Sequence, residues 1–162
     1  MSAVKFREAT AEDVGLILQF IRALAEYEKM SGDVVATEEI LREWLFEKNS
    51  ARVIFAMEGE KEVGFALYFY NFSTFLGRAG LYLEDLFVLP EYRGRGYGKG
   101  LLAHLAAMAV ERGCGRMEWV CLDWNQPSID FYRSKNAVSL DDWTIYRLTG
   151  DTLTAFAKED KA

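Results

Sequence analysis

Residues 81–100 read LYLEDLFVLPEYRGRGYGKG. An apolar and aromatic run carries two adjacent acids, stops at Pro90, and gives way to glycine and cation. The first part reads as a strand, and proline ends it because its ring removes a ladder donor. Residues 93–100 then hold four glycines, two arginines and a lysine, a composition that does not build a core. Beyond them Leu101, Leu102, Leu105, Met108 and Ala109 recur at helical spacing. The pattern is strand, glycine loop, helix.

Three phosphate-binding patterns compete for the loop. A Walker A loop places Gly five residues before a Gly-Lys-Ser/Thr run. Gly98-Lys99 fits its end, but Arg93 stands at the first glycine and Gly100 at the hydroxyl. The dinucleotide fingerprint G-x-G-x-x-G fails from Gly94, whose third glycine falls on Lys99, and from Gly96, where it falls on Leu101. What remains is R-x-x-G-x-G at Arg93, Gly96 and Gly98. Glycines let successive backbone amides turn inward, and a helix start adds positive potential. With Arg93, Arg95 and Lys99 alongside, the loop is a candidate pyrophosphate cradle; a solvated surface turn is the plain alternative.

Working outward, 162 residues suit one domain, 1–162, and no repeat or low-complexity linker marks a boundary. About half the residues are apolar and 14% aromatic, enough for a sizeable core. No apolar run approaches a membrane span, and MSAVKFREAT lacks a signal-peptide apolar region, so a cytoplasmic protein off the membrane is expected. Cys114 and Cys121 are too few for a disulfide framework and, with His104 the single histidine, too few for a zinc site. No metal is expected. A net charge of −6 argues against nucleic acid as a partner and favours a cationic one.

AVKFREA alternates as a first strand, and Thr10 caps a helix bearing Val14, Ile17, Leu18, Ile21, Leu24 and Ala25 on one stripe. A short helix after Thr37 carries Ile40, Leu41, Trp44 and Leu45. ARVIFAME and EVGFALYFY form a hairpin across EGEK, and the loop NFSTFLGR leads to AGLYLEDLFVLP. Short connections predict antiparallel pairing. Gly113 and Gly115 end the helix after the glycine loop, RMEWVCL is a strand, and Asn125 caps a helix with Pro127 in its first turn. Asn136 supplies its left-handed end. WTIYRLT reads as a last strand, with a short terminal helix after it. The fold class is α+β, with a mixed, mostly antiparallel sheet flanked by helices.

R-x-x-G-x-G after this strand resembles the acetyl-coenzyme A loop of the GNAT superfamily of N-acetyltransferases. The stretches IRALAEYEKM, YLEDLFV, YRGRGYG and LDWNQPSIDFY are similar to its diamine (spermidine/spermine) and thialysine branch, over about residues 4 to 148. The resemblance implies a GNAT fold, acetyl-CoA as co-substrate, a small cationic amine as acceptor, and a homodimer, for which the aromatic stretch FALYFYNFSTF offers apolar surface. It implies that Arg93, Gly94, Arg95, Gly96, Tyr97, Gly98, Lys99 and Asn125 hold the coenzyme. Leu86, Phe87 and Val88 lend backbone groups to its arm. Tyr27, Glu28, Glu84, Asp85 and Trp143 line the amine, Glu84 takes its proton directly or through water, and Tyr132 protonates the departing thiolate.

The chemistry fits those types. An alkyl ammonium has a pKa near ~10.4, so reaching the free amine at neutral pH costs roughly 4 kcal/mol unless a base helps. Adjacent residues on a strand point to opposite faces, so Glu84 and Asp85 are expected on different sides. Consecutive Phe131 and Tyr132 cannot share one helix face. Asn125 can be a plain N-cap as well as a coenzyme contact. His104 is read as structural and Cys121 as core. The segment from Tyr132 to Trp143 is short for the branch, and Asn136-Ala137 replaces its usual Gly-Ala, so Asp141 and Asp142 receive no role. Without an activated Ser or Cys, direct attack in a ternary complex is expected. Two alternatives keep the coenzyme: acetylation of a protein lysine or N-terminus, and a non-catalytic acetyl-CoA-binding regulator.

Overall fold

The computed structural model describes residues 3–161; Met1, Ser2 and Ala162, at the limits of the expected 1–162 domain, lie outside the described residues. The chain separates into two compact units, Met1–Val120 and Cys121–Ala162.

The first unit holds a five-stranded sheet in sequence order: β1 (Lys5–Glu8), β2 (Arg52–Glu58), β3 (Lys61–Ser73), β4 (Arg78–Val88) and β5 (Met117–Trp119). The first four are antiparallel, β2, β3 and β4 through short turns and β1 with β2 across a connection that carries two helices, and β5 runs parallel to β4. Helix α1 (Val14–Tyr27) follows a 3-10 turn in which the Asp13 carboxylate accepts the Thr10 amide at 2.7 Å. Helix α2 (Glu38–Arg42), capped by the Thr37 hydroxyl, continues as a π turn over Glu43–Glu47. Helix α3 (Tyr97–Glu111) connects the loop to β5.

Periodicity explains the packing. The stripe of α1 buries Val14, Ile17 and Leu18 with Phe20 against Phe55, Phe65 and Phe87 of the sheet, and Leu41 and Leu45 close that side. On the other face Leu101, Leu102, Leu105 and Ala109 of α3 are buried. Gly64 lets α3 approach: a Cβ there would stand 3.4 Å from Leu101 Cδ1. His104 stacks on Phe6 with centroids 4.3 Å apart, a packing role as expected.

Several expectations need correction. Only residues 74–77 of NFSTFLGR are a turn: Asn71–Ser73 and Arg78 are strand, because the β3–β4 ladder extends to Ser73↔Arg78. Gly113 (φ +77°) ends α3, with Cys114 N–H donating to Ala109 C=O. Gly115 serves packing instead: a Cβ there would meet Leu76 Cδ1 at 2.7 Å. Strand β5 ends at Trp119, so Cys121 is neither on it nor in the core but half-buried beyond it.

In the second unit, α4 (Gln126–Ser134) starts at Asn125, whose side chain accepts from Ser128 N–H at 3.4 Å. It ends at Asn136 (φ 63°), with Ala137 N–H on Tyr132 C=O. Residues 143–149 form no strand; α5 (Gly150–Ala157) follows. Alternation predicts which face a strand would bury, but a strand exists only through ladder bonds to a neighbour, and Trp143, Ile145, Tyr146 and Leu148 are exposed. Among the described residues no helix is long and apolar enough to cross a membrane.

Candidate active site

The β3–β4 register pairs Leu67 with Asp85 and Tyr68 with Leu83. Glu84 is therefore an extra residue, a β-bulge. The consequence can be read from two rings. Tyr82 packs on Phe69 at 5.0 Å, and Phe87 lies in the core with Phe65. Phe65 and Phe69 are four apart on β3 and share the α1 face. Tyr82 and Phe87 are five apart, so in a regular strand they would face opposite ways. The bulge resets the alternation. Glu84 and Asp85 thus lie towards one side, and the expectation of opposite faces is corrected: counting along one strand does not show an insertion relative to its partner.

That side also carries Glu28, the residue capping α1. Glu84 is exposed and Asp85 half-buried. Burial, then the charges of Glu84 and Glu28, push the Asp85 carboxyl up to about 7. Burial also raises Glu28. Asp85, whose proton affinity is raised by burial and by the charges of Glu84 and Glu28, forms with them an acidic floor that a cation would relieve. Tyr27 stands beside it, its ring 6.3 Å from Phe87.

The same strand has an open edge. β5 pairs only with Leu81, Tyr82 and Leu83, whereas β4 continues to Val88. Leu89 N–H donates to Val63 C=O, so the alternating antiparallel pattern directs the backbone of Phe87 and Asp85 towards β3. Leu86 and Val88 direct theirs to the edge that β5 leaves. Of the three residues expected to lend backbone groups, Leu86 and Val88 face this edge, with Val88 C=O accepting from Arg93 Nε, while Phe87 is engaged with Phe65 and its ring is core.

The loop adjoins this edge. Gly94 (φ +77°) and Gly96 (φ +90°) occupy backbone conformations that side chains resist, and Gly96 caps α3. The first bond of α3 runs from Gly100 N–H to Gly96 C=O at 2.8 Å, so the amides of Tyr97, Gly98 and Lys99 lie ahead of the helical ladder. Gly98 has ordinary φ; a Cβ there would sit 3.7 Å from Val88 Cγ2 and 3.9 Å from Leu86 Cδ2, which ties the helix start to the open edge. This cradle fits a pyrophosphate.

The cations are arranged less simply. Arg93 Nε donates to Val88 C=O at 3.0 Å, and its guanidinium lies over the Tyr27 and Phe87 rings. Arg95 pairs with Glu58 at 3.0 Å, and the Tyr97 hydroxyl donates to the same carboxylate at 2.9 Å. Lys99 is exposed. Glu58, at the tip of the β2–β3 hairpin, escapes a sequence reading because only folding brings it to the loop.

The second unit carries the other expected residues. Asn125 is 7% exposed as the cap of α4. Tyr132 is half-buried in that helix, its ring 5.8 Å from Phe131. Trp143 is 79% exposed. Asp141 accepts from the Ser139 hydroxyl at 3.3 Å, and Asp142 is exposed.

The profile of the acetyltransferase (GNAT) family matches residues 18–136. The thialysine N-epsilon-acetyltransferase of Bos taurus is 38% identical, over 97% of this chain and 99% of that protein. The spermidine/spermine N(1)-acetyltransferase-like protein 1 of Homo sapiens is 30% identical, over 99% of this chain but 24% of its own length. Among solved structures, an integron cassette protein from the mobile metagenome of V. cholerae superposes with a TM-score of 0.80 at 30% identity, covering 98% of this chain and 99% of its own.

Proposed function

The chain belongs to the acetyltransferase (GNAT) family, and from that premise we propose that it moves acetyl from acetyl-CoA onto the primary amine of a small polyamine or lysine-like compound. The family's coenzyme supplies the activated thioester. The observation that carries the acceptor class is the bulge at Glu84, which gathers Glu84 and Asp85 near Glu28 beside the open edge of β4. An acidic floor selects a cation. It also helps the reaction, because a carboxylate beside the ammonium can take the proton that attack must release.

Within this reading Gly94, Gly96 and Gly98, with the amides of Tyr97 and Lys99, cradle the pyrophosphate. Arg95 and Lys99 add positive potential, and Arg93 locks the loop to Val88. Leu86 and Val88 hold the acyl arm by backbone groups. Tyr27, Glu28, Asp85 and Trp143 bind the amine chain, Glu84 accepts its proton directly or through water, Asn125 contacts the coenzyme, and Tyr132 donates to the departing sulfur. Residues 1–162 act as one acetyltransferase domain; support comes from a family match that spans both units and from relatives aligned over nearly the whole chain. A homodimer is supported by Phe72, Phe75 and Leu76, exposed at the tip of the β3–β4 hairpin. A reducing, cytoplasmic setting suits the two free cysteines.

Acetyl transfer measured across spermidine, putrescine, thialysine, lysine, a simple monoamine and a lysine peptide tests the proposal. Small cationic amines should give the highest kcat/KM. A clear preference for the peptide would overturn the acceptor class, and no turnover with any amine would overturn the activity.

A further inference from the structure

Near the far end of α3 from the glycine loop, the first unit has a cleft of about 220 Å³. Glu8, Arg52, Tyr68, Tyr70, Glu111 and Arg112 line it, with Met108 one turn before the last two on α3. None of these residues belongs to the acetyl-transfer site.

The cleft has an unusual balance. It holds two carboxylates and two guanidinium groups, yet among the described residues Glu8, Arg52, Glu111 and Arg112 form no ion pair with one another. Arg112, capping α3, holds its guanidinium carbon over the Tyr70 ring at 4.3 Å and forms no ion pair among the described residues. Arg52 stands directly across the sheet from Tyr68. Tyr68 is 1% exposed, lines the cleft, and its hydroxyl has no hydrogen-bond partner among the described residues. Burial pushes it up to about 12, with Tyr70 and Glu8 adding to the rise, so it remains a donor. The hydroxyl is not sealed in the core but opens onto the cleft, so a ligand seated there can accept from it.

We propose that this cleft binds a small zwitterion of α-amino acid type. Its carboxylate lies between Arg52 and Arg112 and accepts from the Tyr68 hydroxyl, and its ammonium lies between Glu8 and Glu111. A simple anion would meet two carboxylates here, and a simple cation two guanidinium groups; only a ligand with both charges satisfies all four. The cleft of about 220 Å³ is large enough to take a small amino acid.

L-alanine, which carries both charges, is the probe, with alaninamide as cation alone and N-acetylalanine as anion alone. Amide NMR shifts locate binding, and no acetyl-CoA is present. L-alanine should shift the amides around Arg52, Tyr70, Glu111 and Arg112 with a millimolar Kd, and each single-charge analogue should bind at least about tenfold more weakly. Arg52→Gln, Glu111→Gln and Tyr68→Phe should each weaken L-alanine at least about fivefold. Acetyl transfer should remain unchanged in Arg52→Gln and Glu111→Gln, whose side chains are on the surface and leave the fold intact. No shifts up to about 50 mM, equal binding of alaninamide, or shifts centred on Glu28 and Asp85 would each overturn the proposal.

Discussion

Asp85→Asn removes a titrating carboxyl while keeping its shape. In the folded protein this group is pushed up to about 7, against an ordinary value near ~3.9. A displacement of about three pH units, at ~1.36 kcal/mol each, corresponds to roughly 4 kcal/mol, an upper figure because the side chain keeps some contact with water. The direction follows from proton binding. Folded protein holds the Asp85 proton more tightly than the unfolded chain, so between about pH 4 and pH 7 the unfolded chain binds fewer protons and stability falls as pH rises. Above about pH 7 the full cost is present. Asparagine carries no such cost. Chemical denaturation of both proteins from pH 4.5 to 8 should give Asp85→Asn a growing advantage, reaching about 1–4 kcal/mol at pH 8. Carboxyl groups away from Glu84 and Glu28 titrate equally in both and cancel in the difference. A cationic acceptor should reverse the order, because it favours the charged form: spermidine should raise the Tm of the native protein more than that of the variant above pH 7. Parallel stability curves for the two proteins would refute the reasoning, because Asp85 would then titrate as an ordinary surface acid and the floor would hold no stored charge repulsion.

The two loop glycines should separate. Gly96→Ala forces a side chain to φ +90°, costing about 1–2 kcal/mol and a few degrees of Tm, and should lower coenzyme affinity as well. Gly98→Ala meets only ordinary contacts within the protein, so Tm should hold while calorimetric affinity for coenzyme A falls; unchanged affinity in both variants would remove the cradle. Arg93→Ala leaves Val88 C=O without its 3.0 Å donor and should destabilise the protein by about 1–2 kcal/mol; weaker coenzyme binding at unchanged Tm would make Arg93 a phosphate ligand instead. Tyr132→Phe should cut kcat about 10²-fold or more with coenzyme Kd changed less than about threefold, whereas a lower Tm with near-normal turnover would make it a packing residue.

Local signals were readable without a fold. The stripe from Val14 to Ala25, the Thr37 and Asn125 caps, Gly113 and Asn136 as helix ends, and the strand–glycine loop–helix order all depend on residues within one or two turns of each other. The types that make the candidate site, Glu84 and Asp85 before R-x-x-G-x-G, were equally visible. Their arrangement was not. A bulge is defined by a count against a partner strand, so nothing within YLEDLFV reveals that Glu84 is the extra residue or that Asp85 turns towards Glu28. The destination of Arg93 and Arg95 was hidden for the same reason: charge in a loop suggests a ligand, but Val88 C=O and Glu58 reach those side chains only after folding. The alternation of residues 143–149 was legible, but alternation fixes only the face a strand would show. Whether a strand forms depends on a neighbour with free backbone groups, and that is a property of the tertiary structure.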